Sequence, residues 1–177
     1  MSTAPQPTGR LAFAEMTAAD LDDMAALLGD PEIMRFYPHP KSRAESLAWI
    51  ELNRTRYRRD GFGLWTIRDR DTGAFVGDCG LTVQEIDGVP EVEVGYHVRT
   101  ELQGRGYAAE AAGACRDHAV RTLGVRRLIA IIDPANIASQ RVAEKIGLRH
   151  EKDSWYRDGT QEVRVYAAGF GSGQGGR

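Results

Sequence analysis

Gln103-Gly104-Arg105-Gly106-Tyr107-Ala108 stands between two stretches of different period, and its reading decides the fold. Before it, Glu91 to Val98 alternates as a strand does. Val92, Val94, Tyr96 and Val98 share one face, and Glu91, Glu93, Gly95 and His97 the other. After it, Ala108, Ala111, Ala112, Cys115, Ala119 and Leu123 recur at helical spacing up to Gly124. A glycine turn that joins strand to helix aims backbone N–H groups, and the positive end of the helix dipole, at one anion. Arg99 and Arg105 add positive charge there. A plain tight turn would use the same two glycines, so the flanks must separate the readings. Leu128 to Ile132 is an unbroken apolar run, suited to a strand buried on both faces. Strand, helix and strand in this order predict a right-handed parallel crossover. The glycine turn then lies at the carboxyl end of a strand, where such sheets bind anions.

Upstream, residues 10–16 read as a first strand. Thr17 reads as the cap of a helix that Gly29-Asp30-Pro31 stops. The aromatic, proline-bearing stretch Ile33 to Pro40 reads as a loop. Ser42 then caps a helix to about Arg59, with Leu47, Ile50, Leu52 and Tyr57 as its apolar positions. Its Arg54, Arg56, Arg58 and Arg59 read as a solvated basic face. Phe62 to Arg68, Ala74 to Val83 and Glu91 to Val98, parted by turns at 69–73 and 87–90, form an antiparallel meander. Phe75, Cys79, Leu81 and Val83 are expected on one face of the middle strand, and Val76, Asp78 and Thr82 on the other. Gly77 and Gly80 mark a bulge there. Beyond the crossover, Asn136 opens a helix that Gly147 ends, and strands at 148–151 and 162–168 close the domain.

The whole is an α+β domain at residues 10–168, between a flexible lead-in (1–9) and a flexible tail (169–177). Its mixed, mostly antiparallel sheet of about seven strands has flanking helices and one parallel crossover. At 177 residues the chain suits one domain with a real core. A formal net charge of −2, and no aromatic interleaving among the arginines, point away from nucleic acid and anionic membranes. No signal peptide and no apolar run near the ~20 residues of a membrane helix are present, so the expectation is a cytoplasmic protein. Cys79 and Cys115 form no metal spacing and no disulfide framework.

The runs VEVGYHVRTELQGRGYAAEAA and DPANIASQRVAEKIGL resemble the GCN5-related N-acetyltransferases (GNAT), most of all the branch with the ribosomal-protein N-terminal acetyltransferases. Gln103, Gly106 and Ala108 match the family's Gln/Arg-x-x-Gly-x-Gly/Ala motif. Asn136, Ser139, Lys145 and Gly147 match its second motif, with Leu148 where the family has phenylalanine. The resemblance covers nearly the whole chain. It implies acetyl-CoA as acyl donor, without a metal. The backbone of Gln103, Gly104, Arg105, Gly106, Tyr107 and Ala108 would cradle the pyrophosphate. The backbone of Tyr96, His97 and Val98 would pair with the pantetheine arm, and Asn136 and Ser139 would contact the arm and the sulfur. Dimers are common among similar proteins, so a homodimer is the analogy's expectation.

Acetyl transfer to an amine needs a base, a polarised carbonyl and a protonated leaving group. By the resemblance the base is Glu93, with Glu91 the weaker rival. His97 shares that face and titrates near neutrality in ordinary surroundings. The polarising donor is expected to be a backbone N–H at the end of the Glu91–Val98 strand. Many relatives carry a tyrosine acid where this chain has Ala143, which leaves Ser139 or water for that step; Tyr156 and Tyr166 approach from the last strands. The amine acceptor, a protein N-terminus or a small molecule, is expected among Met34–Pro40, the second helix and the 155–159 connection. A basic ribosomal terminus would call for an acidic groove, to which Asp153, Asp158 and Glu162 would contribute. The alternative is a non-enzymatic acyl-CoA sensor that kept the cradle. A nucleotide-binding Rossmann-like domain fails on order, because the glycine turn follows a meander.

Overall fold

The computed structural model describes residues 3–156 and 159–171. Met1, Ser2, Arg157, Asp158 and the tail beyond Gly171 lie outside them. The chain runs β1 (Leu11–Glu15), α1 (Leu21–Leu28), α2 (Arg43–Asp60), β2 (Leu64–Asp69), β3 (Phe75–Ile86) and β4 (Val89–Val98). It continues through α3 (Tyr107–Arg121), β5 (Arg127–Ile132), α4 (Ile137–Lys145), β6 (Arg149–Tyr156) and β7 (Gln161–Gly169). One seven-stranded sheet has the order β1-β2-β3-β4-β5-β7-β6, and its β4–β5 pair is parallel while the others are antiparallel.

Local chemistry sets these elements. Ser42 and Glu45 cap α2 reciprocally: the Glu45 N–H donates to Ser42 Oγ at 3.2 Å, and the Ser42 N–H to Glu45 Oε2 at 2.7 Å. The β3–β4 hairpin turns on Asp87 and Gly88, both at positive φ (52° and 76°), as a two-residue hairpin requires. The turn is shorter than expected, and Pro90 already lies in β4.

Alanines and Cys115 of α3, with Ala143 of α4 and Ile146 just after it, pack on one face of the sheet against Cys79, Leu81, Val94 and Leu128. Helices α1 and α2 pack Met24, Leu27, Leu28 and Ile50 against Leu64 and Phe75 on the other. The bulge falls where the glycines place it, between Ile67/Arg68 of β2 and Gly77/Phe75 of β3. It reverses the expected facing of two residues. Phe75 packs with α1 and α2, while Val76 joins Cys79 and Leu81 in the α3 core, because the extra residue shifts the strand's alternation. Cys79 and Cys115 are free thiols, fully buried, 3.5 Å apart.

Two more expectations need correction. On α2 the buried residues are Ser46, Ile50, Asn53 and Tyr57, whereas Leu47 and Leu52 are 39% and 42% exposed. Asn53 belongs inside because its Oδ1 accepts the Leu64 N–H at 3.0 Å, tying α2 to the start of β2. The last two strands are longer than 148–151 and 162–168, since polar β6 residues pair along β7 as far as Tyr156↔Gln161.

Candidate active site

The feature that organises the site is a split in the sheet. Strands β4 and β5 pair at a single register position, Glu93↔Ile129. Past it the two strands diverge and a cavity of about 640 Å³ opens between them. Val94 to Val98 and Ala130 to Ile132 line it, together with Gln103, Gly104, Gly106, Tyr107, Ala108 and Ala109 at one end.

At that end the backbone is prepared for an anion. Gly104 and Gly106 take positive φ (75° and 82°), which glycine alone adopts cheaply, and α3 begins at Tyr107. Amide N–H groups on either side are satisfied: Gln103 donates to Thr100 O and Glu110 to Gly106 O. Those from Gly104 to Ala109 have no acceptor among the described residues. The Gln103 side chain fastens the turn to the end of β4, donating to Val98 O at 3.0 Å. Arg105 does not line the cavity. Its carbonyl accepts from Arg10 Nη1 at 3.0 Å, and Arg10 also binds Glu110 and covers the Tyr107 ring at 4.3 Å. Thr8 Oγ1 completes this clamp on Glu110 at 2.6 Å, and Thr3 binds Glu15 and Trp65, so the lead-in carries contacts into the domain. Sequence reasoning missed the clamp because its partners lie about a hundred residues apart.

Glu93 sits where the strands part, half-buried at the cavity wall. Burial pushes its carboxyl up to about 7, against an ordinary 4.5, although hydrogen bonds from Thr82, the Ile131 backbone and Gln84 offset part of that cost. Thr82 Oγ1 donates to Glu93 Oε2 at 3.2 Å, Gln84 Nε2 to Thr82 Oγ1 at 3.2 Å, and Tyr156 OH to Gln84 Oε1 at 2.6 Å. Glu91 is held by Arg127 at 2.9 Å, away from the cavity. The His97 imidazole is buried and points to the cavity wall, bridging Asp78 Oδ1 at 2.7 Å and Tyr37 OH at 2.9 Å.

Asn136 caps α4, its Oδ1 accepting the Ser139 N–H at 3.1 Å, and both residues line the cavity. Ser139 Oγ lies 2.8 Å from Tyr96 OH, which also donates to Ser139 O at 2.9 Å. This hydroxyl pair was not foreseen, since Tyr96 was assigned only through its backbone. Ala143 is fully buried in the α3–α4 core, and Tyr166 is buried against Gln140, so of the two late tyrosines Tyr156 reaches the cavity.

At the far end the cavity is bounded by Met34, Phe36 and Tyr37 of the loop, Trp49 and Arg56 of α2, and Tyr156 and Gln161. Trp155, by contrast, is 61% exposed. Nor do Arg54, Arg56, Arg58 and Arg59 share one face. Arg56 turns inward with Trp49 and Asn53, a stripe at i, i+4, i+7 that was legible in the sequence. Asp153 pairs with His150 instead of lining a groove, and Asp158 lies outside the described residues.

A family model described as an acetyltransferase (GNAT) domain matches residues 10–149. The chain belongs to the GNAT acetyltransferase family. Its chemistry is therefore acetyl transfer, and it is an N-acetyltransferase. A curated relative of this GNAT chain, YkkB of Bacillus subtilis (strain 168), is described as an uncharacterized protein. It is 38% identical over 148 residues, 81% of this chain and 85% of its own. A crystal structure of an acetyltransferase from Agrobacterium tumefaciens superposes with a TM-score of 0.82 at 27% identity, covering 95% of each chain. The ribosomal L7/L12 α-N-protein acetyltransferase RimL, solved with coenzyme A, shares the fold at 18% identity. Its TM-score is 0.75, over 93% of this chain and 97% of its own.

Proposed function

We propose that the chain moves an acetyl group from acetyl-CoA directly to a primary amine, on a protein N-terminus or a small molecule. What carries the reading is the cavity itself, which joins the unsatisfied amides of Gly104 and of Gly106 to Ala109 to a carboxyl with pKa about 7. The amides suit a pyrophosphate, which needs several donors and no counter-charge of fixed geometry. The open edge of Tyr96 to Val98 suits an extended amide-bearing arm. The coenzyme A bound to the RimL neighbour supports the same ligand here.

Acetyl-CoA would supply the acetyl thioester. Glu93 takes a proton from the acceptor ammonium, so that the nitrogen lone pair can attack the thioester carbon. As the new C–N bond forms and the C–S bond breaks, the electron pair of that bond goes to sulfur. The second proton, which the nitrogen sheds as it becomes an amide, passes through the Ser139 hydroxyl, hydrogen-bonded to Tyr96, to the thiolate, so that Ser139 ends protonated. The test is thiol release from acetyl-CoA over a panel of peptides, polyamines, amino acids and aminoglycosides. No release with any amine, despite acetyl-CoA binding, would refute the reading.

Two smaller results are expected. Ser139→Ala should lower kcat by about tenfold, since Tyr96 and water remain to protonate the sulfur, with KM for acetyl-CoA little changed. Gly106→Val places a β-branched residue at φ 82°, with its Cβ 3.5 Å from Arg10 Nη2. Left-handed strain of about 1–2 kcal/mol at the anion cradle should raise the acetyl-CoA Kd roughly tenfold, read by calorimetry.

A further inference from the structure

The end of the cavity beside Glu93 is positively charged. Arg56 is half-buried, its guanidinium 5.7 Å from the centre of the Trp49 ring, with one long hydrogen bond of 3.4 Å to Asn53 Oδ1. Among the described residues no carboxylate lies within ion-pair distance of it. Its neighbours on α2 differ, for Glu51 holds Arg54 and Asp60 holds Arg59, each at 2.7 Å. Lys41 stands over the same Trp49 ring at 5.3 Å, also without a carboxylate among the described residues.

The acidic groups nearby are committed elsewhere. Glu32 pairs with Arg35 at 2.6 Å, Asp78 with His97 at 2.7 Å, and Asp133 accepts the Ala135 N–H in the turn before α4. That leaves Glu93, whose charge and that of Arg56 act on each other. Burial, and after it the nearby charge of Arg59, pulls the Arg56 pKa below its usual value, and the more distant charges of Glu93 and Asp60 offset only part of that loss. A planar guanidinium in that state is a ready seat for a carboxylate, which it can bind through two parallel hydrogen bonds.

We propose that the acceptor is an amino carboxylate, a small molecule whose own carboxylate binds Arg56 while its amine reaches Glu93. The inference rests on the amine-acetylating reading above. A zwitterion brings each charge to its opposite. A polyamine, an aminoglycoside or a lysine-rich peptide terminus would bring a second cation against Arg56 and Lys41, a like-charge contact that selects against it. Phe36, Tyr37, Trp49 and Tyr156 supply apolar walls for the remainder of the molecule.

The test is thiol release at saturating acetyl-CoA with α-, β- and ω-amino acids, each compared with its own primary amide, and with spermidine. The free acid should exceed its amide in kcat/KM by roughly tenfold or more, the value of a hydrogen bond to a charged group. Arg56→Met should bring that ratio towards one, and Arg56→Lys should restore part of it. Amides as good as acids, spermidine as the best acceptor, or an unchanged ratio in Arg56→Met would each overturn the proposal. Calorimetric titration of acid and amide into the enzyme with coenzyme A makes the same comparison without turnover. Equal affinities there would overturn it too. Turnover of spermidine alone would leave acetyl transfer standing and remove this inference. Arg56-dependent binding of acids without thiol release from any amine would do the reverse.

Discussion

Glu93→Gln is expected to lower kcat/KM by roughly 10²–10⁴-fold, the range a positioned general base supplies. Glutamine keeps the size of the side chain and can still meet Thr82, so the cavity wall should survive. The acetyl-CoA Kd should therefore change by less than about twofold, because Gly104 and Gly106 to Ala109 lie at the other end of the cavity. The wild-type rate should fall on the acid side with an apparent pKa near 7, where the carboxyl gains its proton, and that limb should vanish in the variant. Retained turnover with an unchanged acid limb would remove Glu93 from the mechanism.

The same carboxyl makes an opposite prediction for stability. Its folded pKa of about 7 lies above the ordinary 4.5, so the fold favours the protonated form. The contribution is full below about pH 4.5 and is lost as pH rises through 7. Each tenfold change in proton affinity is worth about 1.4 kcal/mol, so the charged form costs the fold on the order of 3 kcal/mol at pH 8. Glu93→Gln should thus melt higher than wild type at pH 8 and near it at pH 4.5.

What the sequence made legible follows from where the signal is local. The strand-to-helix place of the glycine turn, the alternation of Glu91 to Val98 and the Asn136 cap depend on near neighbours, and the structure has each of them there. The role of Ser46 and Asn53 in α2 was hidden because polar residues are expected outside. Asn53 is inside only because the Leu64 N–H, eleven residues on, needs an acceptor. Arg56 was hidden among Arg54, Arg58 and Arg59 by composition, although its angular position sets it apart. Beyond the strand read at 148–151, the run Lys152-Asp153-Ser154 gave no alternation that would extend it. As part of an edge strand it takes its conformation from pairing with β7. The Arg10–Glu110 clamp joins residues a hundred positions apart, and nothing local announces it.

Gly80→Ala is expected to destabilise the protein by about 3 kcal/mol or more, lowering Tm by roughly 10 °C for a domain of this size. A Cβ on Gly80 would stand 2.1 Å from Gly63 O and 2.5 Å from Leu64 Cα. Both are backbone atoms, so no side chain can rotate away. The Gly63 carbonyl is also held in place, since it accepts the Leu81 N–H at 3.0 Å. Leu64 is fixed in turn from α2, by Asn53 at its N–H and by Tyr57 OH at its carbonyl. Relieving the clash means moving the start of β2 off β3, and with it the helix that carries Trp49 and Arg56 to the cavity. The control is Gly95→Ala on the facing rung of β4, whose Cβ would meet nothing closer than Leu64 Cδ2 at 4.0 Å. Its stability should change by less than about 0.5 kcal/mol, as for a substitution without a new clash. The two glycines oppose each other in one ladder and differ in what stands over them, so thermal melts of the pair isolate that contact. Equal Tm values would mean that close packing at Gly80 does not set the position of α2 over the acceptor end.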